Sequence, residues 1–146
     1  MDLTIPFENT ILNIRVAIIL QTSNGYVLGR GENKNYYHFV GRRVKLGENS
    51  LQAAKREILE EAGVEIKNFE FVSIIENFWQ EKEKNNKVQE ICFVYKTNIV
   101  EKIFPNINLK ESTKEEMKDM DIRPEIIKEI LLQENGNENN ITHHIV

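Results

Sequence analysis

The sequence predicts one α+β domain in which two helices pack against a mixed β-sheet. Segments of strand character and of helix character follow the order strands, helix, strands, helix, with no internal repeat and no linker between domains. The chain has 146 residues, which is the size of one ordinary domain with its own core. Its composition, 40% hydrophobic and 29% charged, is typical of a globular protein. We therefore expect a single domain over residues 1–146.

The first predicted feature is a β-hairpin in the N-terminal part of the chain. Val16–Gln21 and Tyr26–Arg30 have strand character. Between them, Asn24-Gly25 tolerates the positive φ angles of a tight turn. A polar loop follows, and the aromatic run Tyr36–Val40 is again strand-like. These segments are expected to begin the sheet.

Two helices are predicted from the signals at their ends. Ser50 is a good N-cap for a helix over Leu51–Ala62, and Gly63 stands where a left-handed residue would end that helix. Near the C-terminus, Pro124 occupies a first helical position. The apolar residues that follow it at helical spacing are Ile126, Ile127, Ile130 and Leu131. Both helices are expected to pack an apolar face on the sheet.

A second hairpin is predicted between the two helices. Phe69–Trp79 and Val88–Val100 are strand-like, and the charged loop Glu81–Lys87 joins them. Cys92, the only cysteine, lies in an apolar run of the second strand, where we expect a buried and unreactive thiol. The polar segment 135–146 is expected to be a flexible tail.

Charge and hydropathy argue against some classes of partner. The formal net charge is −4, whereas binding along a nucleic-acid backbone needs clustered excess Lys and Arg, so we expect no stable nucleic-acid partner. The longest apolar run, Val16–Leu20, is too short to cross a bilayer, and the N-terminus lacks the pattern of a signal peptide. We therefore expect no membrane association and a cytoplasmic location.

Three glutamates lie on one side of the first predicted helix. At about 100° per residue, Glu57, Glu60 and Glu61 share an arc beside the apolar arc that would face the core. The apolar arc consists of Leu51, Ala54, Ile58 and Ala62. Like charges three and four residues apart destabilise a helix by roughly a few tenths of a kcal/mol per pair. The glutamates are therefore either a solvated acidic face, relieved by Arg56, or ligands of a divalent cation that removes the repulsion.

The residues around these glutamates form a longer pattern. Glu48 is followed by seven residues and then by the run REILEEAGV, from Arg56 to Val64. The segment 42–64 thereby resembles the signature of the Nudix hydrolase family, which includes MutT-like proteins. That signature is glycine, five residues, Glu, seven residues, Arg-Glu, an aliphatic residue, any residue, Glu-Glu, any residue, Gly and an aliphatic residue. All positions from Glu48 onward agree, and the strands, hairpin and helix around them resemble the family's layout, which implies a mixed β-sheet sandwiched between helices.

The resemblance implies a metal site and a supporting ion pair. The ligands would be the three glutamates of the helix and the carbonyl of Gly41, and the metal would be Mg²⁺, with Mn²⁺ as a substitute. The same glutamates would be catalytic through the metal. Arg56 and Glu48 would be the pair whose hydrogen bonds orient the loop and the glutamates.

The general base and any further metal ligand are less fixed in the family, which places them in the signature or on a later segment. Glu90, just before the strand-like run Ile91–Tyr95, is the first candidate for either role. Glu115 and Glu116, in a later loop, are the alternatives. All three would otherwise be surface charges.

Two positions depart from the family's pattern. Arg42 stands where the first glycine of the signature is expected, although the preceding residue, Gly41, is retained. Arg42 is either a contact to a substrate phosphate or a defect in a loop that favours glycine. Lys45 stands where many relatives have an acidic residue, so one loop carboxylate is missing.

The implied activity is Mg²⁺-dependent hydrolysis of a diphosphate linkage in a nucleoside diphosphate derivative, by attack of a metal-activated water on phosphorus. Phe78 and Trp79, at the end of a strand, are candidates for stacking on the substrate, although aromatic residues are more often part of the core.

The partner would be a small molecule, and a homodimer is left open. The alternatives are a weakly active domain that senses nucleotides and a protein-interaction module. The signature does not identify the leaving group.

Overall fold

The computed structural model describes residues 1–100, 108–133 and 142–145, the last of these by backbone alone. The strands are β1 (Thr4–Phe7), β2 (Thr10–Gln21), β3 (Tyr26–Gly29), β4 (Tyr37–Phe39), β5 (Glu70–Glu81), β6 (Asn86–Asn98), β7 (Leu109–Ser112), β8 (Ile122–Arg123) and β9 (Thr142–Ile145). The helices are α1 (Ser50–Ala62), α2 (Lys114–Met117) and α3 (Glu125–Gln133). No helix in the described part of the chain is both long and apolar enough to cross a membrane.

The strands form one mixed sheet in the order β8-β4-β3-β2-β6-β5-β9, with β1 paired to β2 and β7 paired to β3. Both predicted hairpins are confirmed, because β2 pairs antiparallel with β3 and β5 pairs antiparallel with β6. The two hairpins join through a long parallel pairing between β2 and β6. This pairing places the beginning of β2 beside the beginning of β6, where the candidate site lies.

The sheet separates two apolar layers. One face packs against α1 and takes Val16, Ile18 and Leu20 from β2. The other face packs against α2 and α3 and takes the intervening residues Ala17 and Ile19. The alternation follows from the strand itself, since successive side chains point to opposite faces. The predicted α+β architecture, a mixed sheet between helices, is confirmed.

The start of α1 differs by one residue from the prediction. The N-cap is Asn49, whose side chain accepts from the backbone N–H of Gln52 at 2.9 Å, while the Gln52 side chain accepts from the Asn49 N–H at 2.8 Å. Ser50 is instead the first helical residue, and its hydroxyl is 2.7 Å from the Tyr95 hydroxyl. The predicted end is confirmed, because Gly63 is left-handed with φ 69°.

Other predictions in the C-terminal half have mixed outcomes. The predicted helix after Pro124 is confirmed as α3. Within the segment 135–146, for which a flexible tail is predicted, residues 142–145 form β9, parallel to β5; residues 134–141 and 146 lie outside the described residues. The predicted burial of Cys92 is confirmed, and burial raises the pKa of its thiol to about 12, which disfavours the thiolate form.

Candidate active site

Arg56 on α1 and Glu48 in the preceding loop form a two-fold hydrogen-bonded pair. The Arg56 Nε donates to Glu48 Oε2 at 3.0 Å, and Nη2 donates to Oε1 at 2.6 Å. The backbone N–H of Lys45 donates to the same Oε1 at 2.7 Å. The Arg56 guanidinium holds the pKa of Glu48 below its ordinary value, and Glu48 in turn raises the pKa of Arg56. The pair therefore fastens the loop to the helix.

The remaining donors of Arg56 reach two of the three glutamates of α1. One nitrogen, Nη1, donates to Glu57 and also lies 3.4 Å from Oε2 of Glu60. The other, Nη2, donates to the backbone carbonyl of Arg43 at 3.2 Å. Glu57 is 1% exposed, so its carboxylate is buried beside this guanidinium, whereas Glu60 is exposed. Arg56 thus links the backbone of the loop at Arg43 with the acidic face of α1.

Glu57 and Glu61 are neighbouring carboxylates of α1. Burial, followed by the charge of Glu57 and a hydrogen bond with it, raises the pKa of Glu61 to about 7. The charges of Arg42 and Arg15 act in the opposite direction without cancelling the effect. Glu57 is paired with Arg56, whereas Glu61 lacks a full counter-charge, which a divalent cation would supply.

Among residues 1–100, 108–133 and 142–145, no group of three or more acidic, histidine or cysteine side chains is arranged to hold a metal ion. The reason lies in α1, where Glu57 and Glu60 both contact the guanidinium of Arg56 rather than facing one another. A cavity of about 610 Å³ lies elsewhere, lined by residues 64–70 and 96–100, and contains none of the predicted site residues.

Gly41 occupies a position that only glycine fits. Its φ is 143°, and a Cβ built on it would lie 2.1 Å from the carbonyl oxygen of Val16. The carbonyls on either side, at Val40 and Arg42, accept from the backbone N–H groups of Ile18 and Val16. No backbone N–H in the described residues donates to the Gly41 carbonyl, so that oxygen is left for another partner.

Most of the chain matches the model of one protein family. The family model of the NUDIX domain matches residues 12–134 of the chain. The chain belongs to the Nudix family. The matched range contains all of the catalytic and metal-binding candidates named from the sequence, and it confirms the resemblance drawn from the segment 42–64.

Individual Nudix relatives differ in how much of the chain they match. An 8-oxo-dGTP diphosphatase from Buchnera aphidicola subsp. Acyrthosiphon pisum (strain APS) is 36% identical over 64 residues, 44% of this chain and 52% of that protein. The match therefore spans about half the length of this relative. A MutT protein from Bacillus halodurans has a TM-score of 0.71 at 19% identity, covering 90% of this chain and 89% of that one. The Nudix domain of Shewanella oneidensis NrtR, complexed with ADP ribose, has a TM-score of 0.65 at 12% identity, covering 83% and 85%. These two structures show the shared fold.

The departure of the Nudix signature at Arg42 leaves the backbone unstrained. Arg42 is not among the described residues with positive φ, so it adopts a conformation open to any residue. Its side chain is exposed, and its charge lowers the pKa of Glu61. The Arg42 guanidinium therefore lies near the acidic face of α1.

The structure places Glu90 on the face of the sheet opposite α1. It lies on β6 in register with Asn13 of β2, and its side chain is buried. Burial raises the pKa of Glu90, while the charges of Arg15 and Arg43 and a hydrogen bond with Asn13 lower it. Arg15 Nη1 lies 4.0 Å from Glu90 Oε1. The sequence reasoning missed Arg15, because its place in an apolar strand gave no signal.

The two aromatic candidates lie on opposite faces of β5. In the pairing with β6, Trp79 lies opposite Val88 and Asn77 lies opposite Glu90, so Trp79 shares a face with Glu90. Phe78 points to the other face, where α1 packs. Both side chains are partly exposed, Phe78 at 49% and Trp79 at 39%. The structure therefore separates the predicted pair, and only Trp79 lies on the side of Glu90.

Glu115 and Glu116, the alternative candidates for the base, lie exposed on the short helix α2. Glu115 pairs with Lys118 at 2.7 Å, and the backbone N–H of Glu116 donates to the capping side chain of Thr113. No hydrogen bond or ion pair in the described part of the chain connects them with the glutamates of α1. They behave as surface charges.

Proposed function

We propose that the protein is a Nudix pyrophosphohydrolase that cleaves a diphosphate linkage in a nucleoside diphosphate derivative and depends on Mg²⁺. The observation that carries the proposal is the adjacent pair Glu57–Glu61, in which the partly buried Glu61 lacks a full counter-charge, beside the Arg56–Glu48 pair that fixes the loop. A solvated acidic face would have no reason to bury Glu57 almost completely.

The residues that would hold the metal are Glu57, Glu60 and Glu61, with the free carbonyl of Gly41. Their oxygens are the ligand type that Mg²⁺ prefers, and Mn²⁺ would be accepted by the same set. When bound, the metal supplies polarisation of the phosphate oxygens and a lowered pKa of a coordinated water.

The residues of the chain itself supply the orientation. Arg56 fixes Glu48 and contacts the carbonyl of Arg43, so the loop that contains Gly41 is held against α1. The exposed guanidinium of Arg42 lies near Glu61, where it would meet a phosphate oxygen of the substrate. In this role the arginine adds binding energy, which accounts for its place in a signature that usually has glycine.

The nucleoside part of the substrate would lie on the face of the sheet that carries Glu90. Trp79 offers a partly exposed ring there, and stacking on an aromatic ring is a contact that every nucleobase accepts. Glu90 is held by Arg15 and Asn13, so we assign it no metal in this proposal.

The first substrates to test follow from the relatives. Because one relative is an 8-oxo-dGTP diphosphatase, we propose guanine nucleotides, oxidised and unmodified, as the leading class. ADP-ribose is the comparison compound, since a Nudix domain of similar fold has been crystallised with it.

The test is a panel of 8-oxo-dGTP, dGTP, GDP and ADP-ribose, incubated with Mg²⁺ and with excess EDTA. We expect release of a nucleoside monophosphate from at least one compound in Mg²⁺ and none in EDTA. Binding without turnover of any compound would point to the nucleotide sensor instead, and neither binding nor turnover would point to an interaction module.

A further inference from the structure

Arg15 lies at the junction of β2 and β6, on the sheet face opposite α1. The register places Asn13 beside Glu90 and Arg15 beside Cys92, so these four side chains share one face. The Glu90 side chain is 8% exposed and the Arg15 side chain 26% exposed. Arg15 therefore bridges a buried carboxylate and the solvent.

The hydrogen bonding of Arg15 is incomplete, in contrast to that of Arg56. An arginine has five N–H donors, and those of Arg56 serve three carboxylates and a backbone carbonyl. Arg15 has one ion pair, at 4.0 Å to Glu90, and its Nε is buried without an acceptor in the described residues. Buried polar groups in proteins are normally satisfied, so the Nε of Arg15 lacks an acceptor that the described residues do not supply.

Arg15 lies within electrostatic reach of carboxylates on two elements. Its charge lowers the pKa of Glu61 on α1 and that of Glu90 on β6. Arg43 lies opposite Arg15 in an antiparallel bridge and adds a second positive charge on the same face. An anionic group bound there would lie near the two positive charges of Arg15 and Arg43.

We infer that Arg15 binds a phosphate oxygen of the substrate, and that Glu90 and Asn13 are positioning residues that hold its guanidinium. The inference rests on the proposed function, because it takes the diphosphate to lie at Glu57 and Glu61. A guanidinium suits this task, since its planar donors match two oxygens of one phosphate.

The test is the affinity for the α,β-methylene analogue of GDP, which cannot be cleaved at that linkage, measured by calorimetry in Mg²⁺ and again in EDTA. We expect Arg15→Gln to weaken binding about tenfold or more in both, because charge-assisted hydrogen bonds are lost. Arg15→Lys should recover part of the affinity. Arg123→Gln is the matched control, an exposed arginine that stacks on Tyr36, and should bind like the parent. Unchanged affinity in Arg15→Gln would overturn the inference.

A second variant separates binding from folding. Arg15→Gln leaves the buried Glu90 without its ion pair, so the double variant Arg15→Gln/Glu90→Gln restores a neutral pair of similar shape. We expect the double variant to recover thermal stability and to remain weak in binding. Recovery of affinity would show that Arg15 acts only by pairing with Glu90.

Failure of the Arg15 inference can be distinguished from failure of the proposed function. A parent protein that binds the analogue through Arg15 but hydrolyses no nucleotide would reject the proposed function and retain this inference. For an active parent, we expect Arg15→Gln to raise KM with little change in kcat, as for a contact made equally in the ground state. A parent that does not bind the analogue would overturn the inference.

Discussion

Arg56 holds Glu48 by two hydrogen bonds, Nε to Oε2 at 3.0 Å and Nη2 to Oε1 at 2.6 Å. The same guanidinium contacts Glu57, so one residue sets both the loop and the acidic face of α1. The geometry uses the planar fork of arginine, which a lysine cannot reproduce.

Arg56→Lys should therefore destabilise the protein although it keeps the charge. Loss of hydrogen bonds to charged groups costs about 1–3 kcal/mol in the free energy of unfolding, and kcat should fall because Glu57 loses its support. Denaturant unfolding of the parent and of Arg56→Lys at pH 7 measures the first effect. The folded-state pKa of Glu48 is lowered, so its contribution is present above its ordinary value of 4.5 and is lost as the pH falls. A variant with the stability and turnover of the parent would show that the pair is incidental.

Glu61→Gln should flatten the pH dependence of stability in the metal-free protein. The pKa of Glu61 is about 7 in the folded protein, above its ordinary value of 4.5, because of burial and the charge of Glu57. The folded state then binds more protons than the unfolded state between these values, so stability falls as the pH rises from 4.5 to about 7. Melting temperatures in EDTA across this range should fall for the parent and vary less for Glu61→Gln.

The same variant should lose activity, with kcat lower by orders of magnitude in Mg²⁺ because a metal ligand is removed. Above pH 7 in EDTA its melting temperature should equal or exceed that of the parent. A large drop there would mean that Glu61 is structural and would contradict its assignment to the metal site.

Arg42→Gly tests the position where the chain departs from its family. Arg42 has an ordinary backbone conformation, so glycine relieves no strain and should leave kcat little changed. The loss of a guanidinium near Glu61 should raise KM by about tenfold. Steady-state kinetics distinguish a phosphate contact from a loop defect. A rise in kcat for Arg42→Gly would identify Arg42 as a defect in the loop.

Trp79→Ala and Phe78→Ala form a matched pair, because the residues are adjacent and lie on opposite faces of β5. Stacking on a base is worth about 1–3 kcal/mol, so Trp79→Ala should raise KM for a nucleotide at least about fivefold. Phe78→Ala should leave KM unchanged. Equal effects of the two substitutions would mean that the end of β5 acts as a whole and that the ring of Trp79 is not a specific contact.

The helix α1, both hairpins and the signature residues could be predicted from the sequence, because each has a strong local pattern. The cap of α1 was misassigned because Asn49 and Ser50 are both good N-caps. The spacing of Asn49 and Gln52 in the observed capping box distinguishes them.

The remaining features depend on pairing between distant segments. Arg15 gains its neighbour Glu90 only through the parallel pairing of β2 with β6. Similarly, the separation of Trp79 from the face of α1 follows from the register of β5 with β6. Short strands such as β1 and β9 carry too few residues for a periodic pattern and are held by their partners.

The most direct test of the account is the rate of nucleoside monophosphate release from a substrate found in the panel, measured against Mg²⁺ concentration for the parent and for Glu57→Gln. Glu57 is buried between Arg56 and Glu61, so it joins the supporting pair to the metal site. We predict a saturable dependence on Mg²⁺ in the parent, no rate in EDTA, and a rate lower by orders of magnitude in Glu57→Gln at every concentration. A rate in EDTA equal to that in Mg²⁺, or a folded Glu57→Gln as active as the parent, would contradict the account.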